Sequence, residues 1–329
     1  MLKKIAIIGS GSWATALVKI FSESGSRINW LVRNEARAEF IKLYGHNPRY
    51  LSFVSLNMNF IEPTHDVKQA LDAAELVIFA VPSAYLPGYL KSLDKDLLLQ
   101  KKLAVSIKGF IPSTACVPNI FLRNWLNTDQ HVAVIAGPCH AEEIGMGKNT
   151  YLTVSCVDVQ LAKKISNSLN VPYLKVLVNS DPSGIEYAAI LKNIIGIATG
   201  IAKGLNYGDN FLAVLVSNAM RETNRFLETI QPATRDLFDS AYFGDLLVTA
   251  YSDHSRNRTL GKLVGRGIHV SKALLAMQMI AEGFNASKEL GTIIKKLDIT
   301  LPVLNSVHRI LHQHANPFHE FKLLEKQLC

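Results

Sequence analysis

Lys192 occupies the setting in this chain that most clearly points to chemistry. It lies within EYAAILKNIIGIATGIAKGL at positions 186–205, a stretch with the apolar composition of a buried helix. An ammonium group buried without a partner loses its hydration, so a lysine retained in such a place needs a role. One role is acid–base chemistry, in which the ammonium gives a proton to a developing oxyanion. The alternative is structural: the stem of the side chain is buried and its head reaches water.

Three glycines follow Lys192 at four-residue steps, namely Gly196, Gly200 and Gly204, and they form a stripe along the predicted helix. A glycine inside a helix costs about 1 kcal/mol relative to alanine. The stripe therefore predicts that another part of the protein approaches this backbone closely.

A second chemical pattern lies at the start of the chain. The apolar run KIAII leads into GSGSWA, a G-x-G-x-x-A loop, and then into the helical pattern ATALVKIFSESG. The first glycine allows a tight turn, the second lets the backbone approach a pyrophosphate, and the helix N-terminus faces the anion. This context predicts dinucleotide binding by Gly9, Gly11, Ser12 and Trp13, and the alternative is an ordinary glycine-rich turn.

The end of the next apolar run bears on the choice of cofactor. A carboxylate there would hydrogen-bond the ribose 2′-hydroxyl of NAD(H), whereas the run INWLV ends at Arg33, and an arginine can meet the 2′-phosphate of NADP(H). NADP(H) is therefore favoured, while Glu35 keeps NAD(H) open. The alternative for Arg33 is a solvated surface charge.

Two kinds of periodicity divide the chain. Residues 1–180 alternate short β-branched runs with helical patterns, as expected of strands that are covered on both faces. Residues 181–329 carry long amphipathic patterns. The predicted fold class is α/β, with an N-terminal Rossmann-type doubly wound parallel sheet at 1–180 that binds the dinucleotide, followed by an all-helical C-terminal domain at 181–329 for substrate binding and catalysis.

Composition limits the classes of partner. The 329 residues include 35 Lys and Arg against 27 Asp and Glu, a formal net charge of +8 that suits an anionic partner. The basic residues are dispersed and carry no zinc-finger or RNA-binding signature, which argues against nucleic acid. No uninterrupted apolar stretch of about 18 residues occurs, so we expect no membrane span and a cytoplasmic protein.

The four cysteines are scattered along the chain, which predicts reduced thiols. No metal-ligand pattern is evident, and we expect the C-terminal histidines to lie on a solvated helix face.

Six blocks follow one another along nearly the whole chain: IIGSGSWATAL, SIKGF, AGPCHAEE, LKNIIGIATGIAKGL, FGDLLVTAYSDHSRNRTLG and AEGF. In these blocks and their order the chain resembles the bacterial-type NAD(P)-dependent glycerol-3-phosphate dehydrogenases. The resemblance implies reversible hydride transfer between a nicotinamide cofactor and dihydroxyacetone phosphate, which yields sn-glycerol 3-phosphate for phospholipid synthesis. The implied substrate is a small phosphorylated dianion, which agrees with the basic charge balance.

The resemblance also implies residue roles, with Lys192 as the acid–base residue. The positions it implies for substrate binding are Lys108, Gly137, Cys139, Lys192, Asp245, Ser255, Arg256 and Asn257. The positions it implies on the cofactor side, beside the loop and Arg33, are Lys108, Ala141, Arg256, Ile280 and Glu282.

The family usually has a hydroxyl residue where this chain has Cys139, so backbone contacts are better supported there than a side-chain hydrogen bond. Considered without the resemblance, Ser255 and Asn257 are equally consistent with helix caps. Asp245 and Arg256 are likewise consistent with a surface ion pair.

Two other functions stay open at this stage. A β-hydroxyacid or sugar-acid dehydrogenase of similar two-domain architecture would also use a lysine on a helix after the Rossmann half, although the Ser-Arg-Asn block at 255–257 favours glycerol phosphate. A non-catalytic dinucleotide sensor could share the fold, but the joint presence of Lys108, Lys192, Asp245 and Arg256 argues against it. The sequence leaves open whether the helical half forms a homodimer.

Overall fold

A computed structural model gives the fold of the chain. It describes residues 2–252, 255–277 and 281–329. Contacts within the chain define two compact units. The first unit comprises Met1–Ile107 and Cys116–Glu186, and the second comprises Lys108–Ala115 and Tyr187–Cys329. The short segment that carries Lys108 thus groups with the C-terminal residues, whereas the sequence periodicity divides the chain once, between residues 180 and 181.

Eight strands form one sheet in the first unit. They are β1 (Lys4–Ile8), β2 (Arg27–Leu31), β3 (Ile61–Thr64), β4 (Leu76–Phe79), β5 (Lys102–Val105), β6 (Val132–Ala136), β7 (Thr150–Ser155) and β8 (Leu174–Asn179). Their spatial order is β3-β2-β1-β4-β5-β6-β7-β8. The first six positions reproduce the strand order of a dinucleotide-binding fold, which confirms the predicted α/β class.

The sheet is mostly rather than wholly parallel, because β7 runs antiparallel to β6. Between these strands the chain forms only α7 (Ala141–Gly145), a helix of 5 residues. Such a helix rises about 7.5 Å, less than half the length of a five-residue strand, so it cannot return the chain along the sheet. The remaining neighbours pair in parallel, as predicted.

Helices connect the strands of the first unit. In addition to α7 they are α1 (Ser12–Glu23), α2 (Glu35–Tyr44), α3 (Val67–Leu71), α4 (Leu86–Lys91), α5 (Lys95–Leu99), α6 (Pro118–Leu126) and α8 (Val159–Ser166), with a 3₁₀ turn at Ser83–Tyr85. Several begin at a side-chain cap: Asn34, Asp66, Asp94 and Asp158 each accept a backbone N–H of the helix that follows.

The described residues from 182 onward fold into helices and their connections, as predicted for the C-terminal part of the chain. Its helices are α9 (Pro182–Gly204, which begins in the first unit), α10 (Asp209–Ile230), α11 (Asp245–Tyr251), α12 (Arg256–Gly265), α13 (Val270–Ala276), α14 (Glu282–Leu297), α15 (Pro302–His312) and α16 (Pro317–Glu325). A π-helical turn at Ser240–Gly244 leads directly into α11.

Helix α9 is apolar on all sides. Among the described helices it alone is long and apolar enough to meet the length and composition criteria for crossing a membrane. Its 18-residue apolar window is 100% buried inside the protein. This burial is what a central core helix requires, because an all-round apolar helix must be covered on every face.

Candidate active site

The loop after β1 has the backbone geometry that a pyrophosphate requires. Gly9 has φ of 131°, and a methyl group added to it would lie 2.3 Å from the carbonyl oxygen of Ala80, so only glycine fits. A methyl group added to Gly11 would meet no described atom within 4 Å. The first glycine therefore makes the turn, and the second leaves space beside the backbone.

Three side chains hold this loop from the rest of the first unit. Trp30 Nε1 donates to the carbonyl oxygen of Gly9 at 2.7 Å, and Asn47 Nδ2 donates to that of Ser10 at 3.2 Å. Arg37 Nη1 donates to Ser10 Oγ at 3.1 Å. These three bonds use carbonyl and hydroxyl oxygens of the loop and none of its N–H groups.

Helix α1 begins at Ser12 directly after this loop. Gly11 occupies the N-cap position and provides no side-chain cap, so the positive end of the helix dipole faces the open space. Trp13 Nε1 donates to Ser106 Oγ at 2.7 Å, which ties the first turn of α1 to the end of β5. These features fit the pyrophosphate of a dinucleotide.

A buried ion pair lies within the second unit. Lys192 on α9 is 6% exposed, and Asp245 at the start of α11 is 1% exposed. Lys192 Nζ donates a hydrogen bond to Asp245 Oδ1. The lysine is therefore neither snorkelling to water nor unpaired, and Asp245 does not form the surface ion pair with Arg256 that was one alternative.

The N-terminus of α12 carries the Ser-Arg-Asn block. Ser255 is the N-cap, and its Oγ accepts the N–H of Arg258 at 3.3 Å, so the capping alternative is correct for Ser255. Arg256 is exposed at the first helical position. Lys192 and α12 belong to the same unit, which brings an acid and an arginine-bearing helix N-terminus into one body.

Asn257 has a different role from a cap. Its Nδ2 donates to Asn193 Oδ1 at 3.0 Å, and its Oδ1 accepts the N–H of Gly283 at 2.9 Å. Asn193 follows Lys192 on α9, and Gly283 is the second residue of α14. The buried side-chain amide of Asn257 therefore connects α9, α12 and α14.

The charges of this region act on Glu282 at the start of α14. Burial raises the pKa of the Glu282 carboxyl above its usual value. Three cations oppose that shift, in decreasing order Lys108, Arg256 and Lys192. Glu282 and all three of these cations belong to the second unit.

The glycine stripe of α9 contacts the backbone of α12. A methyl group added to Gly200 would lie 2.1 Å from the carbonyl oxygen of Arg258, and one added to Gly204 would lie 2.5 Å from that of Lys262. Gly261 on α12 faces α9 in return, since a methyl group there would lie 2.1 Å from the Ile197 carbonyl oxygen. The predicted close approach is confirmed, and its partner is the helix that carries Arg256.

Comparison with known proteins gives the family. Residues 4–162 match the family model described as the NAD-dependent glycerol-3-phosphate dehydrogenase N-terminus, and residues 181–322 match the model of the C-terminus. The chain belongs to the NAD-dependent glycerol-3-phosphate dehydrogenase family.

Individual relatives cover the chain almost completely. A protein of Clostridium botulinum named glycerol-3-phosphate dehydrogenase (NAD(P)+) is 30% identical over 99% of both chains. A protein of the same name from Fusobacterium nucleatum is 32% identical over 95% of this chain and 93% of its own. The crystal structure of glycerol-3-phosphate dehydrogenase from Coxiella burnetii has a TM-score of 0.91 at 27% identity and covers 98% of each chain.

Gly137, Cys139 and Ala141 are three further positions implied by the family resemblance, and they lie at the end of β6. Gly137 has φ of 130°, and a methyl group there would lie 3.0 Å from the carbonyl oxygen of Tyr151. Cys139 Sγ donates to the carbonyl oxygen of Gly137 at 3.1 Å and is buried. Ala141 is the first residue of α7. The glycine conformation and the engaged thiol favour ligand contacts through the backbone here.

Other predicted family positions give less information. Arg33 follows β2 and is exposed. Ile280 lies outside the described residues.

Among the described residues no group of three or more His, Cys, Asp or Glu is arranged to hold a metal ion. The solvated-face prediction is wrong for His308 and His312, which are half-buried and bond to α14 through the Ser287 carbonyl oxygen and the Ser287 hydroxyl.

Sequence reasoning missed several residues that shape these sites. Asn193 adjoins Lys192 and could have been noticed as a polar residue in an apolar run. Arg37 and Asn47 are distant from the glycine loop in sequence, and no local pattern connects them to it. Gly261 and Gly265 form a second G-x-x-x-G pair, which could have predicted the partner of the α9 stripe.

Proposed function

We propose that this chain reduces dihydroxyacetone phosphate to sn-glycerol 3-phosphate with a nicotinamide cofactor. The observation that carries the proposal is the buried ion pair of Lys192 and Asp245, in the same unit as the exposed arginine that begins α12. Family membership gives the reaction class. The second unit supplies the acid and the anion-binding group that this reaction needs.

Lys192 is the proton donor in this proposal. A reduced nicotinamide held by the first unit would supply hydride to C2 of the ketone. As the carbonyl oxygen gains negative charge, the Lys192 ammonium stabilises it and then transfers a proton to it. Asp245 keeps the ammonium oriented through Oδ1. Its Oδ2 is buried and accepts no hydrogen bond from a described residue, so it can accept one from a substrate hydroxyl.

The N-terminus of α12 receives the phosphate. Arg256 offers charge-assisted, bidentate hydrogen bonds, and the helix dipole adds attraction for a dianion. Asn257 uses one amide hydrogen on Asn193, which leaves the other for a phosphate oxygen. Lys108 adds a further positive charge near Glu282.

The first unit binds the dinucleotide through Gly9, Gly11, Ser12 and Trp13, with NADP(H) favoured over NAD(H). We place the reaction in the cytoplasm, where its product feeds phospholipid synthesis. A homodimer stays a prediction, which sedimentation equilibrium of the purified protein tests.

The test is a spectrophotometric assay of the purified protein with dihydroxyacetone phosphate and either NADPH or NADH. We expect loss of the near-ultraviolet absorbance of the reduced nicotinamide, dependent on the ketone. Cofactor binding without such loss would refute the proposal. Turnover of a β-hydroxyacid or sugar acid instead would establish the alternative enzyme class, and no turnover with any of these substrates would favour a dinucleotide sensor.

A further inference from the structure

Arg37 contacts the glycine-rich loop although it is not part of the loop motif. It is the third residue of α2, and its Nη1 donates to Ser10 Oγ at 3.1 Å. Ser10 lies between the two loop glycines, so the guanidinium group is held directly beside the space that receives the pyrophosphate. The Arg37 side chain is half-buried.

The placement of Arg37 is unfavourable for α2 itself. A cation in the first turn of a helix faces the positive end of the helix dipole. No described carboxylate forms an ion pair with it, and Ser10 accepts from only one of its five N–H donors. Arg37 is thus a half-buried cation beside an anion site, and most of its N–H donors are not used by Ser10. These donors can bind a further negative group on the ligand.

The position of that group follows from the fold. In dinucleotide-binding folds the 2′ substituent of the adenosine ribose is recognised near the end of the second strand, beside the glycine-rich loop. Arg37 joins these two places, because α2 follows β2 after a short connection and Arg37 bonds to the loop. We propose that Arg37 is the main residue that recognises the 2′-phosphate and sets a preference for NADP(H). The inference rests on the proposed function, since it concerns the cofactor of that reaction.

Arg33 is the competing candidate. It is exposed, and it makes no hydrogen bond or ion pair with a described residue. Fixing an exposed arginine side chain on a phosphate costs conformational entropy. Arg37 is already held by Ser10, and donors that are pre-organised lose less on binding. Arg33 is therefore secondary in this inference.

The experiment measures dissociation constants of NADPH and NADH by isothermal titration of the full chain, before any substrate is added. Arg37→Gln is expected to weaken NADPH binding by roughly 10- to 100-fold, the range of a lost charge-assisted interaction, and to leave NADH binding nearly unchanged. Arg33→Gln is expected to weaken NADPH binding less. Lys42→Gln is the matched control, because it removes one charge from the exposed last turn of the same helix.

Equal weakening of NADPH and NADH by Arg37→Gln would overturn the inference, as would a larger NADPH loss from Arg33→Gln or an equal one from Lys42→Gln. Arg37→Lys keeps the charge but not the planar fork, so its NADPH to NADH preference should lie between those of the parent and the glutamine variant. An unchanged preference in Arg37→Lys and Arg37→Gln together would also refute it. Failure of the proposed reaction is separate, because it would appear as NADPH binding without reduction of the ketone.

Discussion

Replacing Gly200 with alanine should damage activity more than stability. The added methyl group would lie 2.1 Å from the carbonyl oxygen of Arg258 and 2.9 Å from Cα of Gly261. Both neighbours are backbone atoms, so no side-chain rotation can relieve the overlap, and α9 and α12 must move apart by about 1 Å to restore van der Waals contact. The new side chain favours the helix by about 1 kcal/mol, whereas overpacking costs about 1–3 kcal/mol. The net loss of stability is therefore at most about 2 kcal/mol.

The same movement displaces Arg256 from Lys192, because the two residues belong to the two separated helices. A misplacement of about 1 Å can cost about 100-fold in rate. We expect kcat/KM for dihydroxyacetone phosphate to fall by about that factor while the melting temperature falls only a few degrees. Gly88→Ala is the control, since Gly88 lies in α4 with no described atom within 4 Å of an added methyl group. Parent-like kcat/KM in Gly200→Ala would refute the argument that these glycines set the site geometry.

Three further predictions concern single side chains. Lys192→Met should abolish turnover, because no transferable proton remains, while the dissociation constant of NADPH stays close to that of the parent; normal turnover would exclude Lys192 from the mechanism. Arg256→Ala should raise the KM for dihydroxyacetone phosphate by roughly 10- to 100-fold, in line with a lost charged hydrogen bond, and an unchanged KM would place the phosphate elsewhere. Burial raises the pKa of the Glu222 carboxyl from 4.5 to about 7, against the opposing effects of the Val303 and Leu304 amides and of Arg225. The folded state then binds more protons than the unfolded one between these values, so stability is full below about pH 4.5 and declines through pH 7; urea titrations should show a flatter pH profile in Glu222→Gln, and equal slopes would contradict the shift.

The parts of the fold that the sequence predicted are those with a strong local signal. The runs that form β1 and β4 are apolar apart from Lys4 at the start of β1, since both faces of these strands are buried. The segment around the glycine loop after β1 combines a strand, a turn and a helix start within a short length. Lys192 was identifiable because a charge within an apolar run is conspicuous. Its partner Asp245 came only from the family resemblance, because 53 residues separate the two.

The missed features depend on contacts that local patterns do not encode. The strand β3 contains a proline in IEPT, and β8 has only half-buried and exposed residues, so neither has the uniformly buried apolar pattern of the central strands. Glu222 has the local sequence of an ordinary helix charge, yet its carboxylate accepts the N–H groups of Val303 and Leu304 at 2.7 and 3.1 Å. When a carboxylate on one helix caps the start of another helix, the two positions have no fixed separation in sequence. A local pattern therefore does not predict such a cap.

The backbone contact between α9 and α12 separates two properties of the site that could otherwise be confused. The side chains of Lys192 and Arg256 provide charge, whereas Gly200 and Gly261 set how closely their helices approach. A change at a charged residue leaves the helix spacing intact, so it should alter either kcat or KM according to the role of that residue. A change at a glycine leaves every charge in place but moves proton donor and phosphate site together, so it should alter both constants. Comparing the two classes of variant therefore distinguishes a residue that performs a chemical step from one that holds it in position.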